Sequence, residues 1–116
     1  VNGNLDMVIG TRGGRYQPQL LSHFILKILK KENLKDAITS PRWNIDEFGK
    51  ESISEISIEP GLDENITDEL INKGHKVNQL DELQNSYGPI SAIIKTENSW
   101  KALHDPRVDT ASSIID

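Results

Sequence analysis

The chain has 116 residues, a net charge of −5 and no cysteine. That length suits one small domain with a real core and little surplus. The missing cysteine excludes disulfides, thiol chemistry and cysteine-based zinc sites, and no apolar run approaches the roughly 20 residues needed to cross a bilayer.

Apolar residues make up 35% of the chain and aromatics only 5%, so Ile and Leu must supply most of the core. Charge is uneven. Residues 1–43 carry seven Lys or Arg against three Asp or Glu, whereas residues 44–116 carry six against fifteen. Such asymmetry can mark a nucleic-acid partner for the basic part. Here His23, Lys27 and Lys30 share one helix side and read as a solvated face, so neither a nucleic acid nor a membrane is expected as a partner. Asn65-Ile66-Thr67 fits a glycosylation acceptor, which matters only in a eukaryotic secreted protein. No signal peptide is visible, and a cytoplasmic location is favoured while the natural N-terminus stays open.

Asn2-Gly3 is a two-residue hairpin signal, and Leu5 to Ile9 reads as the strand after it. Only one arm of that hairpin is present, which leads us to expect a piece of something longer. Next comes the run Thr11-Arg12-Gly13-Gly14-Arg15-Tyr16-Gln17-Pro18-Gln19. Two adjacent glycines between a strand and a helix leave backbone N–H groups open, and the helix adds its positive end. Such a corner suits a negative oxygen on a phosphate, a carboxylate or a tetrahedral intermediate.

From Pro18 to Lys31, Leu20, Leu21, Phe24, Ile25, Ile28 and Leu29 recur at helical spacing, with Leu26 the exception. A short second helix, Leu34 to Thr39, buries Leu34, Ala37 and Ile38 and must stop before Pro41. Trp43 and Ile45 suggest a short strand, and residues 53–59 another, ended by Pro60-Gly61. Asp63 is the expected N-cap of a helix reaching Lys73, which buries Ile66, Leu70 and Ile71 and stops at Gly74. His75 to Leu80 is a strand and Asp81 to Gly88 a loop. Ile90 to Lys95 and Trp100 to His104 form a final hairpin. The order is mixed α/β or α+β, compatible with half of a layered αββα core.

Most tempting chemistry reduces to structure. Ser22 and His23 are neighbours on a helix and point about a hundred degrees apart, so they do not make a nucleophile–base pair. The three histidines, His23, His75 and His104, lack the paired spacing of a zinc site. The acidic pairs Asp63-Glu64, Asp68-Glu69 and Asp81-Glu82 lack the calcium-loop pattern. Asp105-Pro106-Arg107 reads as a turn with an internal ion pair. Trp43 and Trp100 read as core or subunit contacts. No Walker or dinucleotide pattern follows Gly13-Gly14. No metal and no cofactor are expected.

Four separated segments together resemble the γ-glutamyltransferase family. Gly10-Thr11-Arg12-Gly13-Gly14 with its Gln-Pro-Gln helix start is similar to a stretch near the middle of that family's small subunit. Ala37-Ile38-Thr39-Ser40-Pro41-Arg42-Trp43, Gly74-His75-Lys76-Val77 and His104-Asp105-Pro106-Arg107-Val108-Asp109 follow in the family's order. The resemblance runs from about residue 8 to residue 110.

It implies the C-terminal part of a small subunit, a single domain forming half of an N-terminal-nucleophile hydrolase αββα sandwich truncated at its N-terminus. It implies an enzyme that cleaves γ-glutamyl amides, of which glutathione is one, and passes the γ-glutamyl group to water or an amino acid. Carried over by motif, Gly13 and Gly14 supply backbone N–H groups to the oxyanion. The family's nucleophilic threonine and the serine pair that grips the glutamyl group find no counterpart here, so this segment alone is expected to be inactive. The implied partners are the rest of the same precursor, meaning the large subunit and the N-terminal part of the small one, and a small γ-glutamyl substrate. A homo-oligomer is compatible. Arg15 stands where many relatives carry a small or acidic residue, and it suits an anionic substrate, a contact with the other subunit or a plain surface ion pair. The rival readings are a non-catalytic binding or assembly module on the same scaffold and a related acylase with another acyl donor.

Overall fold

The computed structural model describes residues 3–45 and 55–109. Asn2 of the hairpin signal and Ile53 of the third expected segment lie outside these residues. Gly3 has the positive φ, +77°, that a tight turn would use. The chain divides into two compact units, Val1–Thr39 with Asn85–Asp116, and Ser40–Gln84. Both contain helix and strand, and the class is mixed α+β.

The first unit is one sheet with helices on a single face, which is half of a sandwich. Strand β1 (Met7–Thr11) pairs antiparallel with β5 (Ile90–Lys95), and β5 pairs antiparallel with β6 (Trp100–Leu103). Helix α1 (Gln17–Leu29) and helix α2 (Leu34–Thr39) supply the second layer. Phe24, Ala37 and Ile38 from the helices meet Ile90 and Ala92 from β5, with Ile9, Ile28, Ile94 and Leu103 packed around them. Period-2 alternation puts Ile90 and Ala92 inward and Ser91 and Ile93 outward. On that outward face Val8 pairs with Ile93 and both are exposed.

Four expectations shift here. The first strand begins at Met7 rather than Leu5, because its pairing with β5 covers Met7–Thr11, and Leu5 is exposed. Helix α1 ends at Leu29, where Lys31 takes a left-handed φ of +61° and its N–H bonds the Ile28 carbonyl. Only Leu20 and Phe24 of the α1 stripe are fully buried, and Leu29 at its last position is 72% exposed. Trp100 is exposed at the start of β6, not core.

The second unit is a three-stranded sheet, β2 (Trp43–Ile45), β3 (Glu55–Ile58) and β4 (Lys76–Gln79). Strands β2 and β3 are antiparallel, whereas β3 and β4 are parallel and joined through α3 (Glu64–Asn72). Parallel neighbours need such a crossover. Asp63 caps α3 as expected, its carboxylate accepting from the Asn65 N–H at 2.9 Å. Gly74, at φ +90°, stops it: Gly74 N–H reaches the Ile71 carbonyl and His75 N–H the Leu70 carbonyl, the paired bonds of a Schellman end. The helix buries Thr67 and half-buries Leu70, while Ile66 and Ile71 are exposed, contrary to the expected stripe.

Glu59 ties this unit together. Its buried carboxylate accepts from the Arg42 N–H at 2.8 Å and from the Gln84 N–H at 2.9 Å. Among the described residues no helix is long and apolar enough to cross a membrane.

Candidate functional site

The corner after β1 is built by glycine geometry. Gly13 and Gly14 open a 3₁₀ turn, Gly14–Tyr16, which precedes α1. The Tyr16 N–H bonds the Gly13 carbonyl at 3.0 Å, and the Gln17 N–H bonds the Gly14 carbonyl. Both glycine carbonyls are therefore used in turning the chain. The glycine N–H groups are not: among the described residues neither has an acceptor. Unpaired main-chain donors are rare away from water. Here they belong to residues lining an open cavity of about 460 Å³, shared by Arg12, Gly13, Gly14, Arg15, Tyr16, Asn85 and Ser86.

The two glycines are needed for different reasons. Gly14 has φ +52°, a left-handed conformation, and a Cβ there would meet open space. Gly13 is extended, but a Cβ there would lie 3.0 Å from the Cα of Gly88 and 3.4 Å from a Leu20 methyl. Gly88 in turn has φ +55°, and its own Cβ would approach Leu20 to 2.7 Å and the Thr11 hydroxyl to 3.1 Å. The corner thus rests backbone against backbone on the segment that leads into β5. Thr11 pins the contact, its hydroxyl donating to the carbonyls of Gly88 (2.9 Å) and Pro89 (3.1 Å).

Two arginines flank the glycines. The Arg15 guanidinium lies 4.9 Å from the Tyr16 ring centroid and donates to the Tyr16 hydroxyl at 2.8 Å, so this side chain is braced by its neighbour. Arg12 is exposed and, among the described residues, makes no hydrogen bond, ion pair or ring contact. Among the described residues neither an Asp nor a Glu lines the cavity. Arg12, Asn85, Ser86 and Gly88 were not singled out by the sequence reading. The Gly88-Pro89 dipeptide was the available signal, since turn glycines before a strand often mark a close backbone approach.

The remaining expected residues are used in structure. Ser22 donates to the Pro18 carbonyl at 2.6 Å, one turn back in its own helix. Asp105 and Arg107 form the internal pair anticipated for their turn, at 3.1 Å with both side chains fully buried. Asp105 also accepts from the Ile90 N–H at 2.9 Å, and Arg107 donates to the Ile38 carbonyl at 3.1 Å. One buried pair thereby clamps α2, β5 and the last turn. Among the described residues no group of three or more His, Asp or Glu side chains could hold a metal ion.

The family model described as Gamma-glutamyltranspeptidase matches residues 1–115. No curated protein matches the chain significantly. Among solved structures, Gamma-glutamyltranspeptidase from Pseudomonas nitroreducens complexed with L-DON superposes with a TM-score of 0.80 at 19% identity, over 100% of this chain and 58% of that one. The Helicobacter pylori enzyme, as a point mutant, gives 0.72 at 22% identity over 93% of this chain and 57% of its own. The Bacillus anthracis transpeptidase enzyme CapD gives 0.71 at 27% identity, covering 92% of this chain and 62% of its own. The chain thus spans about three fifths of the length of these structures. Extended over virtually all of its residues, the match shows that this chain belongs to the gamma-glutamyltranspeptidase family.

Proposed function

We propose that this chain is the oxyanion-binding part of an N-terminal-nucleophile enzyme that transfers γ-glutamyl groups, with Gly13 and Gly14 as the donors. The observation that carries the reading is the pair of acceptor-free N–H groups on residues that line one open cavity. Main-chain donors held by packing cost little reorganisation when charge develops, which is why such arrangements stabilise acyl-transfer intermediates.

In the proposed reaction a threonine hydroxyl outside this segment attacks the γ-carbonyl carbon, and its α-amine takes the hydroxyl proton. The carbonyl π electrons move to oxygen, and that oxyanion lies on the N–H groups of Gly13 and Gly14. Collapse breaks the C–N bond, the departing amine takes the proton from the α-ammonium, and a γ-glutamyl ester remains. Water or an amino acid then repeats the sequence in reverse roles. The partners are accordingly the remaining parts of the same precursor together with a γ-glutamyl substrate.

The complete protein is expected to release nitroaniline from γ-glutamyl-p-nitroanilide, while these 116 residues alone do not. Turnover by the isolated segment would overturn the assignment of the nucleophile to another part. A complete protein that is folded and bears an N-terminal threonine yet releases no nitroaniline would favour the non-catalytic module.

A further inference from the structure

A cavity of about 240 Å³ opens in the second unit at the carboxyl ends of β3 and β4, where α3 begins. In open sheets, ligands gather outside the carboxyl ends of parallel strands. Ile58, Leu62 and Leu80 give this cavity apolar walls, and Glu59, Glu64 and Asp81 give it acids. Among the described residues no Lys, Arg or His lines it. The acyl transfer proposed above makes no use of it.

Acids beside a helix start are ordinary; a buried threonine with an idle hydroxyl is not. Thr67 lines the cavity and is only 6% exposed, yet among the described residues its hydroxyl makes no hydrogen bond. A threonine within a helix commonly returns its hydroxyl to a carbonyl one turn back. Here the Asp63 carbonyl instead accepts the Ile66 and Thr67 N–H groups. Among the described residues, the sealed side-chain atoms without a partner belong to Asn44, so the Thr67 hydroxyl keeps an opening through the cavity. Glu64 and Asp81 likewise make no hydrogen bond or ion pair among the described residues. Glu59 differs, accepting from the Arg42 and Gln84 N–H groups.

The ligand chemistry follows from what is already used. Asn65 N–H bonds the Asp63 carboxylate, and with Ile66 and Thr67 also engaged this helix end has little for an anion. What remains is two carboxylates and a hydroxyl oxygen beside apolar walls. A hard metal ion takes a dense cage of oxygens, and among the described residues no three His, Asp or Glu side chains converge. An ammonium has three donors, and a short alkyl stem suits the walls.

We propose that this cavity binds a small primary alkylammonium, its N–H groups donating to Glu64, Asp81 and the Thr67 hydroxyl and its stem lying on Leu62 and Leu80. No bond is made or broken. The site rests on none of the observations behind Gly13 and Gly14, so its failure leaves the proposed function standing.

The test titrates n-butylammonium chloride into the complete protein, with no γ-glutamyl donor present, by calorimetry at neutral pH and constant ionic strength. Butanol serves as the uncharged stem and calcium chloride as the bare cation. Saturable binding of butylammonium is expected, with none for butanol. Glu64→Gln combined with Asp81→Asn should weaken it about tenfold, and since both side chains are exposed the fold is spared. Thr67→Val keeps the shape, removes the hydroxyl and should weaken binding about threefold, while Thr67→Ser keeps most of the affinity. Circular dichroism checks that each variant is folded. Butylammonium that fails to saturate, or that binds the Glu64→Gln, Asp81→Asn variant as tightly as the wild type, overturns the proposal. So does saturation by calcium where butylammonium gives none, or equal binding of butanol.

Discussion

Arg107 and Arg12 sit in two of the family's motifs and do opposite work. Arg107 is fully buried, and its guanidinium is spent on Asp105 and on the Ile38 carbonyl. Arg12 is exposed and engages nothing among the described residues. The same side-chain type therefore closes the fold at one place and stays exposed at another. The distinction is one of unspent hydrogen-bonding capacity. Asp105 accepts from the Ile90 and Arg107 N–H groups within the protein, whereas at Gly13 and Gly14 the carbonyls turn the chain and, among the described residues, the N–H groups are left over. A motif rich in charge can thus be architecture, and a motif with almost no side chain can be the site.

The largest effect on this comparison should come from the clamp. Asp105→Ala leaves the Arg107 charge buried without its partner and frees the Ile90 N–H, so a loss of about 3–5 kcal/mol in folding stability is expected. Denaturant midpoints of the complete protein read it. The double change Asp105→Ala with Arg107→Met should cost less than the single one, because the stranded charge is then gone. A double variant no more stable than Asp105→Ala would show that the pair contributes more than mutual neutralisation.

The next effect falls on the corner. A Cβ on Gly13 has to displace the Gly88 backbone, since it would lie 3.0 Å from that Cα. Gly13→Ala should therefore move the proposed oxyanion donors and lower kcat by about 10²- to 10³-fold, the scale of losing one such donor. Gly14→Ala faces open space and only the left-handed φ, a strain of roughly 1–2 kcal/mol. It should be less damaging to kcat than Gly13→Ala. Equal losses would mean that the contact with Gly88 does not position the donors. Gly88→Ala tests the same contact from behind, and its clash with Leu20 and Thr11 should depress kcat and stability together.

Local signals were legible because their physics is local. Asp63 as a cap, Gly74 as a stop and the order of strands and helices follow from neighbours a few residues away. So does the identification of Gly13-Gly14 as a corner. The reason Gly13 must be glycine was not legible, for it lies in Gly88, 75 residues further along. The same holds for Glu59, whose carboxylate joins Arg42 to Gln84. The α3 stripe failed for a related reason. Periodicity identified Ile66 and Ile71 as apolar positions, but Thr67 is the buried one, and pattern alone does not say which positions the sheet covers.

The smallest predicted effect compares two helix ends. Helices α1 and α3 both finish with the paired bonds of a Schellman turn: Lys31 N–H to Ile28 and Glu32 N–H to Lys27, then Gly74 to Ile71 and His75 to Leu70. Both turns need one left-handed residue, Lys31 at φ +61° and Gly74 at φ +90°. Glycine adopts that conformation without a Cβ clash, while lysine is strained by it. Lys31→Gly should therefore raise stability by about 0.5–1 kcal/mol, after the extra chain entropy of glycine is subtracted. Gly74→Ala should lower it by about 1 kcal/mol, for its Cβ meets nothing and only the backbone strain counts. Urea midpoints at unchanged slope measure both. If Lys31→Gly were destabilising, the ion pair of Lys27 with Glu32, 3.2 Å across the same turn, would have to depend on the rigidity that lysine gives this end.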